Sequence, residues 1–397
     1  MPLLPLRIEG AKGLDFQVNL QSIRSGFAQD FPDRSHCWVH ARPGIIPGRP
    51  PSVVITMQKV NVHTAPNSYD VFYSVTDMRS DDLGATWSEP VERATLGRRH
   101  QEEDVATTIC DFAPQWHAGT RRLLGVGHTP RYRDNTILID DPIASAYSVY
   151  DAESRTWAPW RVLELPRDGT FYHACAGCAQ RADLPDGRIL LPLYFGAKGE
   201  KDYRVTVARC SFDGQELRFL DHGTQLALEG ARGYAEPSLV RFRNRFYLTL
   251  RNDLKGYVAT SQDGLHFGPA EPWVWDDGSD LGNYNTQQHW VTHSDGLFLV
   301  YTRRGANNDE IMRHRAPLFI AQVDLKKLCL IRETERILVP KRGADIGNFG
   351  VCNITPTETW VTTAEWMRSQ PSDNHVFVAR ILWNRPNHLV NARGDPA

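Results

Sequence analysis

Apolar residues in this chain fall into short runs separated by polar, glycine- and proline-containing turns, and no stretch sustains the period of an amphipathic helix. The clearest runs are 51–58, 122–129, 187–195, 245–251, 296–303 and 359–366. Each is rich in β-branched and aromatic residues and bounded by turn residues, which predicts strands. Before each lies another β-rich stretch, beginning near His40, Cys110, Cys178, Glu236, His289 and Val351. Six strand pairs in regular succession predict an all-β chain built from a repeated unit, with helix scarce.

The loops between these pairs carry a second pattern. Ser80-Asp81-Asp82-Leu83-Gly84-Ala85-Thr86-Trp87 fits S-x-D-x-G-x-T-W. In such a turn the Asp82 carboxylate can accept backbone N–H groups, Gly84 can take positive φ, and Trp87 can bury a large ring. Weaker copies stand at Ser261-Gln262-Asp263-Gly264, Ser211-Phe212-Asp213-Gly214, and Ser148-Val149-Tyr150-Asp151 with Thr156-Trp157. The motif resembles the Asp-box hairpin of sialidase-like β-propellers. That resemblance implies an all-β propeller of the sialidase superfamily, whose innermost strands line a central channel. Residues 1–30 and 373–397 are left over from the six cycles, and 376–383 reads as one more strand. The termini are therefore expected to share a closing blade, with seven blades preferred over six and residues 1–397 forming one domain.

Composition narrows the function. A formal net charge of −2 gives no basic field for nucleic acid, and no run of 18 apolar residues is present to span a bilayer. The seven cysteines, an odd number without paired spacing, do not read as a disulfide framework. Cys175-Ala176-Gly177-Cys178 is a lone C-x-x-C, read as buried thiols rather than a metal or redox pair; no metal and no cofactor are expected. No secretory signal is visible in MPLLPLRIEGAKG, so the expected location is cytoplasmic, or secreted or periplasmic if a signal has been removed.

Polar residues near the predicted inner strands are the candidates for chemistry. Glu236 opens one strand and Arg251 ends the next, so the two can face one pocket; a plain Glu–Arg ion pair is the alternative. Arginine suits a carboxylated sugar because its planar fork holds a carboxylate with two hydrogen bonds. Arg42 and Arg303 are candidates to join Arg251 as the three arginines of a sialidase. The sialidase tyrosine has no counterpart, because the sequence contains no tyrosine after Tyr301. Histidines 40, 117, 128, 173 and 289 lie near the inner strands and are suited to proton exchange. Together with Tyr172, Tyr194, Tyr234, Arg204 and Arg251 they point to a second chemistry: removal of the proton α to a uronate carboxyl, and elimination.

At His36–Arg42, Asn283–Trp290, Tyr301–Asp309 and Arg313–Phe319 the chain resembles the propeller enzymes that release L-rhamnose α-1,4-linked to glucuronate from arabinogalactans. These are the α-L-rhamnosidases of glycoside hydrolase family 145 and the related rhamnosyl-glucuronate lyases, and the likeness spans roughly residues 35–368. It implies an oligo- or polysaccharide substrate containing uronate, cleaved without a cofactor. It implies further that a single histidine near the N-terminus, on the face opposite the usual pocket, carries hydrolysis; His40 matches it, with Arg42 placed to hold the carboxylate and His289 as another substrate contact. The lyase alternative uses His173 or Tyr234 as base and Arg204 or Arg251 as neutraliser. An exo-sialidase-like hydrolase and a non-catalytic glycan-binding propeller are the remaining readings.

Overall fold

The computed structural model of the chain describes residues 13–62, 70–102, 104–366 and 372–391. Among these residues, six antiparallel sheets follow one another as blades. Blade 1 contains His36–Ile46, Ser52–Asn61, Phe72–Ser80 and Val91–Glu92. Blade 2 contains Cys110–His117, Arg122–His128 and Ser145–Asp151, edged by Thr156–Trp157 and Arg161–Val162. In blade 3 the inner strand is interrupted, His173–Cys175 and then Ala182–Asp183, before Ile189–Gly196, Arg204–Phe212 and Leu217–His222. Blade 4 runs Ala235–Phe242, Arg245–Arg251, Gly256–Ser261 and Glu271–Pro272. Blade 5 runs His289–His293, Gly296–Tyr301 and Leu318–Asp324, edged by Cys329–Leu330 and Arg336–Val339.

Blade 6 closes the ring. Its strands Phe349–Thr355, Glu358–Ala364 and His375–Trp383 come from the C-terminal part of the chain, and its outer strand is Phe16–Ser25. This corrects the expectation of seven blades. The terminal segments supply one strand each to a sheet that 349–364 has already begun, so the described residues complete a sixth blade and form no seventh. A small further sheet, Arg99–Glu102, Val105–Thr107, Arg131–Arg133 and Thr136–Ile137, prolongs the first hairpin of blade 2 beyond a break in its ladder.

The core lies between blades rather than at the axis. Each adjacent pair shares one apolar cluster: Val54 with Phe112, Leu124 with Leu191, Leu190 with Leu239, Trp273 with Trp290, Val300 with Val361, and Trp360 with Ile55. Both faces of every blade are thus covered, which is why strands such as Ile189–Gly196 are buried along their whole length. Aspartate-capped turns fix the outer hairpins. Thr86 N donates to Asp82 at 2.9 Å, Ser154 N to Asp151 at 2.7 Å, Glu216 N to Asp213 at 2.7 Å and His266 N to Asp263 at 2.8 Å. Lys326 N donates to Asp324 at 2.8 Å in a fifth such turn that the sequence pattern did not expose. Trp87 leans on Trp360 of the closing blade, ring centroids 6.0 Å apart, so this hairpin braces the ring closure as well as its own blade.

Candidate functional site

The innermost strands begin at one end of the channel, and there the backbone departs from regular pleating. His40, Asp111 and Glu236 each sit in a break of register on the inner strands of blades 1, 2 and 4, with φ of 57°, 52° and 41°. Cys178 and Asn285 have φ of 62° and 49° at the approaches to the inner strands of blades 3 and 5. A bulge re-aims a side chain that a regular strand would point elsewhere, and left-handed non-glycine residues cost about 1–3 kcal/mol each. All five lie at one end of the channel, which makes that end the candidate site.

Three buried arginines meet there. Arg42, 1% exposed, donates through Nη2 to Asp111 Oδ1 at 2.7 Å and to Gln287 Oε1 at 3.1 Å, and lies 3.5 Å from Cys178 Sγ. Arg251 pairs with Glu236 Oε1 and donates to the Asn285 side chain. Arg315 donates to the Asn285 carbonyl at 2.6 Å and lies 3.5 Å from Asp345. The Asn285–Gln287 segment therefore ties arginines from blades 1, 4 and 5 together. Its own anchors run to blade 6, with Thr286 donating to the Gly347 carbonyl at 3.1 Å and Gln287 to that of Phe349.

His40 lies beside this group, its Nδ1 3.2 Å from Asp111 Oδ1 and its ring packed on Phe72 and Trp366. Burial drives its pKa down to about 4, against the pull of Asp111. Burial works to raise the Asp111 carboxyl, but His40 and Arg42 outweigh it and hold it well below the usual carboxylate range. His128, 3.8 Å from Asp111 Oδ2, is also lowered by burial. Arg42 Nε and Nη1, Arg251 Nε and Glu236 Oε2 are buried with no hydrogen-bond partner among the described residues. Polar edges left in that state suit a polar ligand.

Several sequence-predicted positions move. His40 was expected on the face opposite the Glu236 and Arg251 pocket; Asp111, Arg42 and Cys178 link it into the same cluster instead. Arg303 does not join Arg42 and Arg251: it lies beyond the end of its strand and forms a two-pronged pair with Glu335 at 2.8 and 2.7 Å, while Arg315 is the arginine that reaches the Asn285 segment. Arg204 pairs with Glu200 at 2.9 Å over the Phe195 ring, outside the cluster. Tyr234 packs in the interblade core against Tyr257, its hydroxyl pushed up to about 12 by burial. His289 is a cross-brace, its Nδ1 2.7 Å from Ser238 Oγ and its ring against Phe349; burial lowers its pKa to about 3. His117 likewise ties Thr120 to the Gly187 carbonyl. His173 stands toward the mouth, connected to His128 through Tyr203 and Tyr194 by edge-to-face rings 5.2 to 6.4 Å apart.

Beyond the cluster the channel widens into a cavity of about 400 Å³ that reaches Arg42 and His289 and is bordered farther on by Gln115, Trp116, Gln180 and Arg181. Its polar lining is largely committed: Arg181 pairs with Asp183 at 2.9 Å, and Gln180 bonds both main-chain groups of Trp290. The reactive groups are gathered at the strand-start end.

No protein-family model matches the chain, and no curated protein does. Solved structures do. A protein of unknown function from Dyadobacter fermentans aligns over 92% of this chain and 99% of its own, at 13% identity and a TM-score of 0.59. A Hadza microbial sialidase aligns over 91% and 68%, at 12% identity and 0.64. Trypanosoma rangeli sialidase aligns over 86% and 55%, at 14% and 0.59, so the chain spans about half that enzyme's length. The chain has the fold of the sialidase β-propellers.

Proposed function

We propose that the protein is a carbohydrate-active enzyme that cleaves a terminal sugar from a glycan bearing a carboxylate, and that it works at the strand-start end of the channel. The observation that carries this reading is the convergence of Arg42, Arg251 and Arg315 on one segment, beside Asp111 and Glu236. The edges of Arg42 and Arg251 left without a partner in this buried site suit a carboxylate, which an arginine fork recognises strongly and directionally. His40, held between Asp111 and the arginines, is the group we assign to proton transfer.

The substrate we favour is L-rhamnose α-1,4-linked to glucuronate, cleaved by hydrolysis. Elimination loses support because Tyr234 and Arg204, two of its four proposed participants, stand outside the cluster. A sialidase-like hydrolase fits the fold of the neighbours and stays the second reading; we rank it below because the start of the blade 6 inner strand reads Gly347-Asn348-Phe349, without a hydroxyl.

Incubation with a rhamnose-capped, glucuronate-containing arabinogalactan oligosaccharide tests this. Free L-rhamnose without a rise in absorbance near ~235 nm, where a conjugated product of elimination at a uronate absorbs, is the expected outcome. His40→Gln and Arg251→Lys should each remove turnover with folding intact, and an aryl sialoside should stay uncleaved. Release accompanied by the absorbance would replace hydrolysis with elimination, and no release with measurable binding would leave a lectin.

A further inference from the structure

Blade 2 brings together Cys110 and His128, which the substrate reading does not use, with Asp111, which that reading uses only as the partner of Arg42 and His40. Cys110 and His128 face each other in register on its first two strands. Asp111 follows Cys110, and in a regular strand these neighbours would point to opposite faces. The bulge at Asp111 breaks that alternation, so that a thiol sulfur, a carboxylate oxygen and an imidazole nitrogen all lie within 4.8 Å of one another. We propose that Cys110, Asp111 and His128 form a binding site for a zinc-class divalent cation.

Geometry and chemistry agree on this. The 3.8 Å between His128 Nε2 and Asp111 Oδ2 is too long for a hydrogen bond. An imidazole nitrogen and a carboxylate oxygen on one tetrahedral ion, each about 2.0–2.2 Å from it, stand roughly 3.3–3.6 Å apart, so this pair has only a few tenths of an ångström to close to share one. A thiolate with an imidazole and a carboxylate selects zinc over magnesium or calcium, which take oxygen ligands only. A second, independent feature is His40, 4% exposed, whose Nδ1 lies 3.2 Å from Asp111 yet makes no hydrogen bond among the described residues. It lies against Oδ1, outside the three-ligand group, where it orients the carboxylate and leaves Oδ2 toward His128.

Arg42 does not block the site. It takes Oδ1 of Asp111, while Oδ2 faces His128, so the guanidinium fixes the carboxylate as an outer partner does in metal centres. On binding, the Cys110 thiol gives its proton to solvent and the sulfur bonds the ion. Thiolate and carboxylate then balance the dication, and no redox step is involved. Of the Cys-x-x-Cys pair, Cys178 contacts Arg42 and the Asp111 carboxylate from outside the three-ligand group, and Cys175 contacts Tyr194.

The test uses the full chain, free of any affinity tag, incubated with zinc, desalted and analysed by elemental mass spectrometry, with a parallel cobalt(II) titration followed in the visible and near ultraviolet. The expected result is about one zinc per chain and a thiolate-to-cobalt charge-transfer band. Cys110→Ser and His128→Gln should each weaken binding by more than the roughly tenfold that loss of an outer partner costs. Cys329→Ser, on the rim of blade 5, should leave it unchanged. A wild-type chain with native circular dichroism that retains no zinc and shows no charge-transfer band overturns the proposal, as does a band that survives Cys110→Ser. The wild-type cobalt spectrum decides the matter even if a variant fails to fold.

Discussion

At the scale of single residues, the channel is held by buried charges that cannot be removed one at a time. Arg251 is 4% exposed and pairs with Glu236 Oε1 and the Asn285 side chain together. Deleting one member of such a pair leaves the other charge buried without compensation, at a cost of about 3–5 kcal/mol. Arg251→Ala should therefore lower the denaturant midpoint far more than Arg204→Ala, whose pair is exposed to solvent. A double variant with Glu236→Gln should recover part of the loss, which a double-mutant cycle would measure. His289 gives a pH prediction. Its folded pKa of about 3 lies below the ordinary 6.5, so between those values the unfolded chain holds a proton that the folded chain lacks. Stability from this group is complete above about pH 6.5 and declines as pH falls toward 3, by up to about 1.4 kcal/mol per pH unit. His289→Asn should flatten that slope in chemical denaturation at stepped pH; an unchanged slope would mean the imidazole is not buried as a neutral group.

At the scale of the element, strand pairs were legible in the sequence because period and turn chemistry are local. Glu236 and Arg251 were legible as partners because antiparallel pairing places the opening of one strand against the end of the next. Asp111 was not, since its aim depends on a bulge that pattern cannot show. Arg303 misled because it follows an apolar run just as Arg251 does, yet its strand stops at Tyr301 and the side chain turns to Glu335. Arg315 arises from the long connection between the second and third strands of blade 5, where composition says nothing of direction. Turns can be tested by substitution. Gly84 and Gly187 both have positive φ, 80° and 82°. An added Cβ at Gly84 would meet Trp360 at 2.9 Å, whereas nothing lies within 4 Å at Gly187. Both alanine variants carry the backbone strain, but Gly84→Ala should melt distinctly lower than Gly187→Ala, because only the former also pushes against the closing blade. Equal losses would show that the Asp82 turn does not brace the ring.

At the scale of the whole molecule, the channel site exists only while the ring is closed. Arg42 comes from blade 1, Arg251 from blade 4 and Arg315 from blade 5, so no blade alone can assemble them. Closure rests on strand Phe16–Ser25, which pairs with His375–Trp383 along nearly its whole length and packs Phe16 and Val18 against the cluster shared by blades 5 and 6. Without it the third strand of blade 6 becomes an exposed edge, with Val376, Val378 and Ile381 losing their cover on one side. Removing residues 1–25 should therefore abolish a single cooperative melt and produce a chain that self-associates in size-exclusion chromatography. Adding the 13–25 peptide in trans should restore part of the melt, because strand pairing and apolar cover are regained at the cost of bimolecular association. A milder variant, Val18→Asp, keeps the strand and introduces one charge on its packed side; it should lower the melting temperature while preserving the fold. If the truncated chain melted cooperatively near the wild-type temperature, closure would have to come from the Trp87–Trp360 contact between blades 1 and 6, and the Gly84→Ala variant would then become the more damaging of the two.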